Sequence, residues 1–114
     1  MREAAKLLAL SEQTALSHLR NELAVIANVT AVIIFGSVAR GEAIEGSDLD
    51  VLAVVDRELT YSEETAAYDA VFRTNLQYDT NISLVVVDAA RWESPTWSKL
   101  PLYQAVQQEG ALLQ

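Results

Sequence analysis

Residues 29–55 read VTAVIIFGSVARGEAIEGSDLDVLAVV, two apolar runs separated by a small polar loop. The first run, residues 31–35, is short and β-branched and stops at a glycine, which predicts a strand buried on both faces rather than a helix. Its end delivers Gly36, where a ligand or another backbone can come close. The second run opens with Asp48 and Asp50. On a strand, Asp48, Asp50 and Leu52 point to one face and Leu49 and Val51 to the other. The two carboxylates then stand about 6 to 7 Å apart at the backbone.

Paired carboxylates in an apolar strand are costly unless a cation neutralises them, and hard oxygen donors suit magnesium held jointly with phosphates. Asp-x-Asp pairs more often mark a solvated strand end, so the upstream loop decides between the readings. A turn of small residues after a strand can aim N–H groups and the Ser37 hydroxyl at a phosphate, above all if residues 37–40 begin a short helix. Arg40 would add a charge-assisted contact. The loop is not a Walker A sequence: Gly36 and Gly41 have its spacing, but Glu42 stands where its lysine belongs.

Gly36-Ser37, ten intervening residues containing Arg40-Gly41 and Ser47, then Asp48-Leu49-Asp50, resembles the signature of the minimal nucleotidyltransferases of the DNA polymerase β superfamily. The resemblance implies that Gly36, Ser37, Arg40 and Ser47 bind nucleotide, and that Asp48 and Asp50 are the catalytic metal ligands. The implied cofactor is Mg2+ or Mn2+, and the implied donor an NTP such as ATP, whose nucleotidyl group passes to a hydroxyl acceptor. Relatives of this kind also resemble antitoxins paired with all-helical HEPN proteins, so a HEPN-like partner or a homodimer is expected.

The chain departs from that pattern at its third strand. Family members commonly carry a third carboxylate there, and aligning the apolar run puts Ser83 in its place. A serine is neither a base at neutral pH nor a magnesium ligand to match a carboxylate. Asp79 and Asn81 share its strand face by alternation, but Asp79 is about 13 Å back along the strand. Two classes therefore stay open: an enzyme, or a nucleotide- or partner-binding module that has lost the chemistry.

At 114 residues, 51% of them hydrophobic, the chain reads as one domain spanning residues 1–114. No apolar run approaches the ~20 residues of a membrane span, and Arg2, Glu3 and Lys6 interrupt any secretory pattern, so a cytoplasmic protein is expected. A net charge of -8 with eight basic residues argues against nucleic acid as a partner. The chain has no cysteine, which excludes a disulfide framework or a thiolate zinc site. The lone His18 reads as a surface or packing residue.

In chain order, residues 2–27 read as helix, with a break near Ser11 as cap and a stripe of Leu8, Leu10, Ala15, Leu16, Leu19, Leu23 and Ile26. The same text echoes a helix-turn-helix, a reading disfavoured by the missing turn glycine and the few basic residues. Thr60 and Glu63 form a capping box for a helix over residues 62–76, with Ala66, Ala67, Val71, Phe72 and Tyr68 on its core face. A third strand is expected over residues 79–87. Trp92 and Trp97 flank a Ser94-Pro95 turn as core or edge aromatics, and a last helix runs from Pro101 to a stop at Gly110. This order predicts an α/β fold, one sheet with helices packed against it. The resemblance adds that the sheet is small and mixed, as in nucleotidyltransferases.

Overall fold

The two apolar runs form neighbouring antiparallel strands, β2 (Val29–Phe35) and β3 (Leu49–Val55), with Phe35 opposite Asp50 and Ile33 opposite Leu52. The computed structural model describes residues 1–113. Between β2 and β3 the chain makes the one-turn helix α2 (Gly36–Ala39) and a loop. From β3 it crosses through α3 (Tyr61–Tyr78) to β4 (Ile82–Asp88), which lies parallel to β3. A helical crossover is what parallel neighbours require.

The other elements are β1 (Arg2–Glu3), α1 (Leu10–Ile26), α4 (Ala89–Trp92), α5 (Pro101–Glu109) and β5 (Ala111–Leu113). The sheet order is β1-β5-β2-β3-β4, with β5 antiparallel to β2 and parallel to β1. The expected mixed α/β sheet is therefore present, with five strands.

Alternation along the strands splits the core into two layers. Val32, Ile34, Leu49, Val51, Ala53, Ile82 and Leu84 pack under α1 and α3 with Leu16, Leu19, Ala67 and Ala70. Ile33, Leu52, Val54 and Val87 face the opposite way, onto Trp92 and Val106. Trp92 meets Tyr103 at 4.6 Å between ring centres, so the tryptophan serves the core. His18 packs against Tyr78, with ring centres 5.5 Å apart, and lies 3.3 Å from Glu22. Among the described residues, no helix is long and apolar enough to cross a membrane.

Several expectations need correction. The break expected near Ser11 is present, just before α1 starts at Leu10, but the stretch ahead of it is not α-helix: β1 pairs with β5 and a 3-10 turn covers Ala5–Leu7. Long-range bonds override the local periodicity, because Arg2 donates to the carbonyls of Ala39 and Glu109, both at 2.7 Å, and the Ala4 N–H donates to Leu112 O at 2.8 Å. Leu10 is exposed rather than part of the buried stripe. Ser11 is not the cap either: Ala9 stands at the N-cap, its N–H bonded by the Glu12 carboxylate at 2.9 Å. With one helix leading directly into β2, the helix-turn-helix echo has no structural counterpart.

The third strand begins at Ile82, not at residue 79. Asp79 ends α3 in the left-handed conformation (φ 53°), and the Asn75 side chain clasps both the N–H and the C=O of Ile82. On α3, the buried face is Ala67, Ala70, Val71 and Thr74, while Ala66, Tyr68 and Phe72 are exposed. Small side chains let α3 approach α1 closely, which turns the aromatic residues outward. The strands β1 and β5 were not expected, being too short for a periodic signal.

Candidate functional site

The register places the acidic residues at one end of the sheet. Asp50 is flanked by Phe35 on β2 and by Ser83 on β4, and laterally paired residues point to the same face. Asp48 stands one residue before β3, exposed, with its Oδ1 accepting from Asn81 Nδ2 at 2.7 Å. Asn81 is thus a site neighbour through Asp48 rather than through strand alternation.

Gly36 sits directly against Asp50. Its φ is +76°, and a Cβ built on it would collide with Asp50 Oδ2. Only glycine meets both demands, a left-handed backbone and space for a carboxylate. The end of the first apolar run suggested close approach by a ligand or another backbone; what comes close is the side chain of Asp50. Ser37 follows at half burial in the first turn of α2, and its carbonyl accepts from the Glu42 N–H at 2.9 Å, folding the loop back.

Burial pushes the Asp50 carboxyl above its ordinary value, and the charge of Asp48 adds to that push. Arg40 pulls in the other direction, and Glu109 reinforces the upward shift. A carboxylate raised by burial and by a like neighbour is one that a cation would relieve. Asp48 and Asp50 therefore fit a divalent metal by their hard oxygen donors and their mutual repulsion. Among the described residues, no group of three or more His, Cys, Asp or Glu side chains is arranged to hold a metal, in keeping with a serine where a third carboxylate would stand.

The two remaining candidates are engaged within the protein. Arg40 donates from Nε to Glu42 at 2.6 Å and from Nη1 to Glu109 at 3.0 Å. The Ser47 hydroxyl accepts from the Ile44 N–H at 3.0 Å, so it shapes the loop ahead of Asp48. A groove lined by Val38, Ile44, Ser47, Thr80 and Asn81 borders that loop. Sequence reasoning assigned no site role to Glu109, whose Oε1 accepts from the Gly36 N–H at 3.1 Å. The contact spans 73 positions; the Glu109-Gly110 step resembles the way the family's small domains finish, but that resemblance implied no contact with Gly36.

Residues 16–108 match the model of a family described as the nucleotidyltransferase domain. Over 55 residues the chain is 42% identical to a candidate protein adenylyltransferase from Methanocaldococcus jannaschii; the match covers 48% of this chain and 56% of that protein, so the chain spans about half the length of that relative. A chain of a toxin-antitoxin crystal structure with AMP-PNP superposes with a TM-score of 0.64 at 19% identity, over 91% of this chain and 72% of that one. A chain from the complex of a tri-AMPylated Shewanella oneidensis HEPN toxin with its MNT antitoxin gives 0.56 at 20% identity, over 90% and 68%. At these identities the two structures speak for the fold.

Proposed function

Because this chain belongs to the nucleotidyltransferase-domain family, we propose that it binds a nucleoside triphosphate with a divalent cation and passes the nucleotidyl group to a hydroxyl acceptor. The observation that carries this reading is the packing of the Gly36 backbone against the Asp50 carboxylate, which joins the Gly36-Ser37 turn to an acidic pair. Ser37 would offer its hydroxyl and amide to the phosphates, and Asp48 and Asp50 would hold Mg2+ or Mn2+. When bound, such a cation neutralises phosphate charge and stabilises charge on the departing pyrophosphate. Asn81 holds Asp48 by a hydrogen bond, and Gly36 leaves Asp50 the space it occupies. In the transfer, the acceptor oxygen bonds to the α-phosphorus as the bond to the pyrophosphate oxygen breaks. Ser83, beside Asp50, offers no base for the acceptor's proton, so transfer by the chain alone should be slow.

ATP is the donor to test first. Incubation with ATP labelled at the α- or the γ-phosphate, with magnesium and a candidate acceptor protein, separates the outcomes. Label retained from the α position alone is the expected result. Transfer of γ label would show phosphoryl rather than nucleotidyl chemistry and contradict the reading.

A second reading is favoured by the outer face of α3. Tyr61, Tyr68, Phe72 and Leu76 recur at helical spacing there and are 42% to 88% exposed, an apolar stripe of the kind that marks a covered surface. The chain then works as the partner of another protein, a helical HEPN-like chain or a second copy of itself. The two readings are compatible, since a HEPN toxin in complex with an MNT antitoxin is tri-AMPylated in a structure of this fold.

A further inference from the structure

Glu109 ends α5 beside the loop, and its position is fixed from the backbone outward. Arg2 ties the Glu109 carbonyl to the Ala39 carbonyl, stapling the end of α5 to the end of α2. Gly110 behind it has no room for a side chain, because a Cβ would collide with the carbonyl of Val106 and lie 2.9 Å from Ile33 Cγ2. So anchored, the carboxylate bridges two donors: Oε1 takes the Gly36 N–H at 3.1 Å and Oε2 takes Arg40 Nη1 at 3.0 Å. A loop N–H and a guanidinium are the donors that a phosphate oxygen pair takes. The Glu109 side chain is 18% exposed and that of Arg40 46% exposed, so the carboxylate end of this bridge is sheltered while the guanidinium stays open to solvent.

We infer that Glu109 is a specificity-determining residue of the nucleotide site: its carboxylate occupies the Gly36 and Arg40 donors that a bare triphosphate would use, so the loop admits a triphosphate only with its charge reduced by a cation. The inference rests on the nucleotide reading above. Arg40 is held between Glu42 and Glu109, so an arriving anion must compete with two carboxylates for its guanidinium. Asp48 and Glu109 each add like charge within electrostatic reach of Asp50. An uncomplexed triphosphate therefore meets repulsion from fixed carboxylates and finds no free guanidinium. Cation-bound triphosphate carries less charge and gains attraction from Asp48 and Asp50 in place of repulsion. Removing the charge of Glu109 frees Arg40 Nη1, leaving the guanidinium paired with Glu42 alone, and takes away one repelling carboxylate.

The test is calorimetric titration of sodium tripolyphosphate in excess chelator, and of ATP with magnesium, into wild type, Glu109→Gln and the double variant Glu109→Gln/Arg40→Ala, with thermal melts to confirm folding. Glu109→Gln should bind metal-free tripolyphosphate about tenfold tighter than wild type, the scale of one unit charge acting across partly solvated space. The double variant should lose the part of that gain that Arg40 supplies and keep the part that comes from removing one repelling carboxylate. If wild type binds ATP with magnesium but Glu109→Gln binds tripolyphosphate no tighter, the inference fails and the nucleotide reading stands. If no protein binds either ligand, the nucleotide reading fails and takes the inference with it. Should Glu109→Gln not fold, Glu109→Asp replaces it: one methylene shorter, it cannot span both donors, and a smaller gain is expected. No gain there overturns the inference.

Discussion

Asp50 and Ser83 are register partners across the parallel β3–β4 pair, so a side chain at position 83 stands beside the carboxylate and shares its face. An aspartate there would complete a three-carboxylate cluster without moving the backbone. Ser83→Asp should tighten binding of magnesium with nucleotide and raise nucleotidyl transfer, within the 10² to 10⁴ range that base assistance commonly gives. Labelled ATP and a candidate acceptor measure it. Fast transfer by the wild type that Ser83→Asp leaves unchanged would mean that the acceptor's proton leaves by another route.

Gly36→Ala addresses the other neighbour of Asp50. The added methyl strains a left-handed backbone and displaces the Asp50 carboxylate. Urea unfolding should show a loss of about 1 to 2 kcal/mol from the backbone alone, and affinity for ATP with magnesium should fall. Unchanged affinity in a folded Gly36→Ala would separate Asp50 from the site.

The outer stripe of α3 makes a contrasting prediction. Phe72→Ser and Leu76→Ser remove exposed side chains, so stability should change by no more than about 0.5 kcal/mol each. Co-purification with a partner chain, or self-association by light scattering, should be lost. Variants that unfold would mean that the stripe is held by the fold itself.

The part of the site legible in the sequence was the part built from neighbours in the chain. Gly36, Asp48 and Asp50 were readable because one strand end and one strand start carry them, and aligning the apolar run of the third strand with the family pattern singled out Ser83, which the register sets beside Asp50. Glu109 was not, because its role comes from the way α5 lands on α2, and Arg2 and Gly110 set that landing. The α3 face was misread in part. Ala67 and Val71 pack as expected, but Ala66, Tyr68 and Phe72 are exposed, and Ala70 and Thr74 complete the buried face instead. The Thr60 and Glu63 cap was fully local and is present, with Thr60 Oγ1 accepting the Glu63 N–H at 3.2 Å.

That cap also sets a pH dependence. Hydrogen bonds from Arg57, and then the Thr60 N–H, bring the Glu63 carboxyl down from 4.5 to about 2. A depressed folded value stabilises above the unfolded one, so the contribution is complete above pH 4.5 and disappears as pH falls through about 2. Glu63→Gln should lower the melting temperature slightly at neutral pH, and the difference from wild type should close between those limits. A difference independent of pH would assign the effect to packing instead of charge.

The central claim is that Asp48 and Asp50 together make a cation-dependent nucleotide site, and calorimetric titration of ATP, with magnesium and then with excess chelator, tests it most directly. Wild type should bind ATP with magnesium and lose most of that affinity in chelator, while Asp48→Asn and Asp50→Asn, both still folded by thermal melt, should lose the magnesium-dependent part. Equal affinity with magnesium and with chelator, or two folded asparagine variants that bind like the wild type, would contradict it.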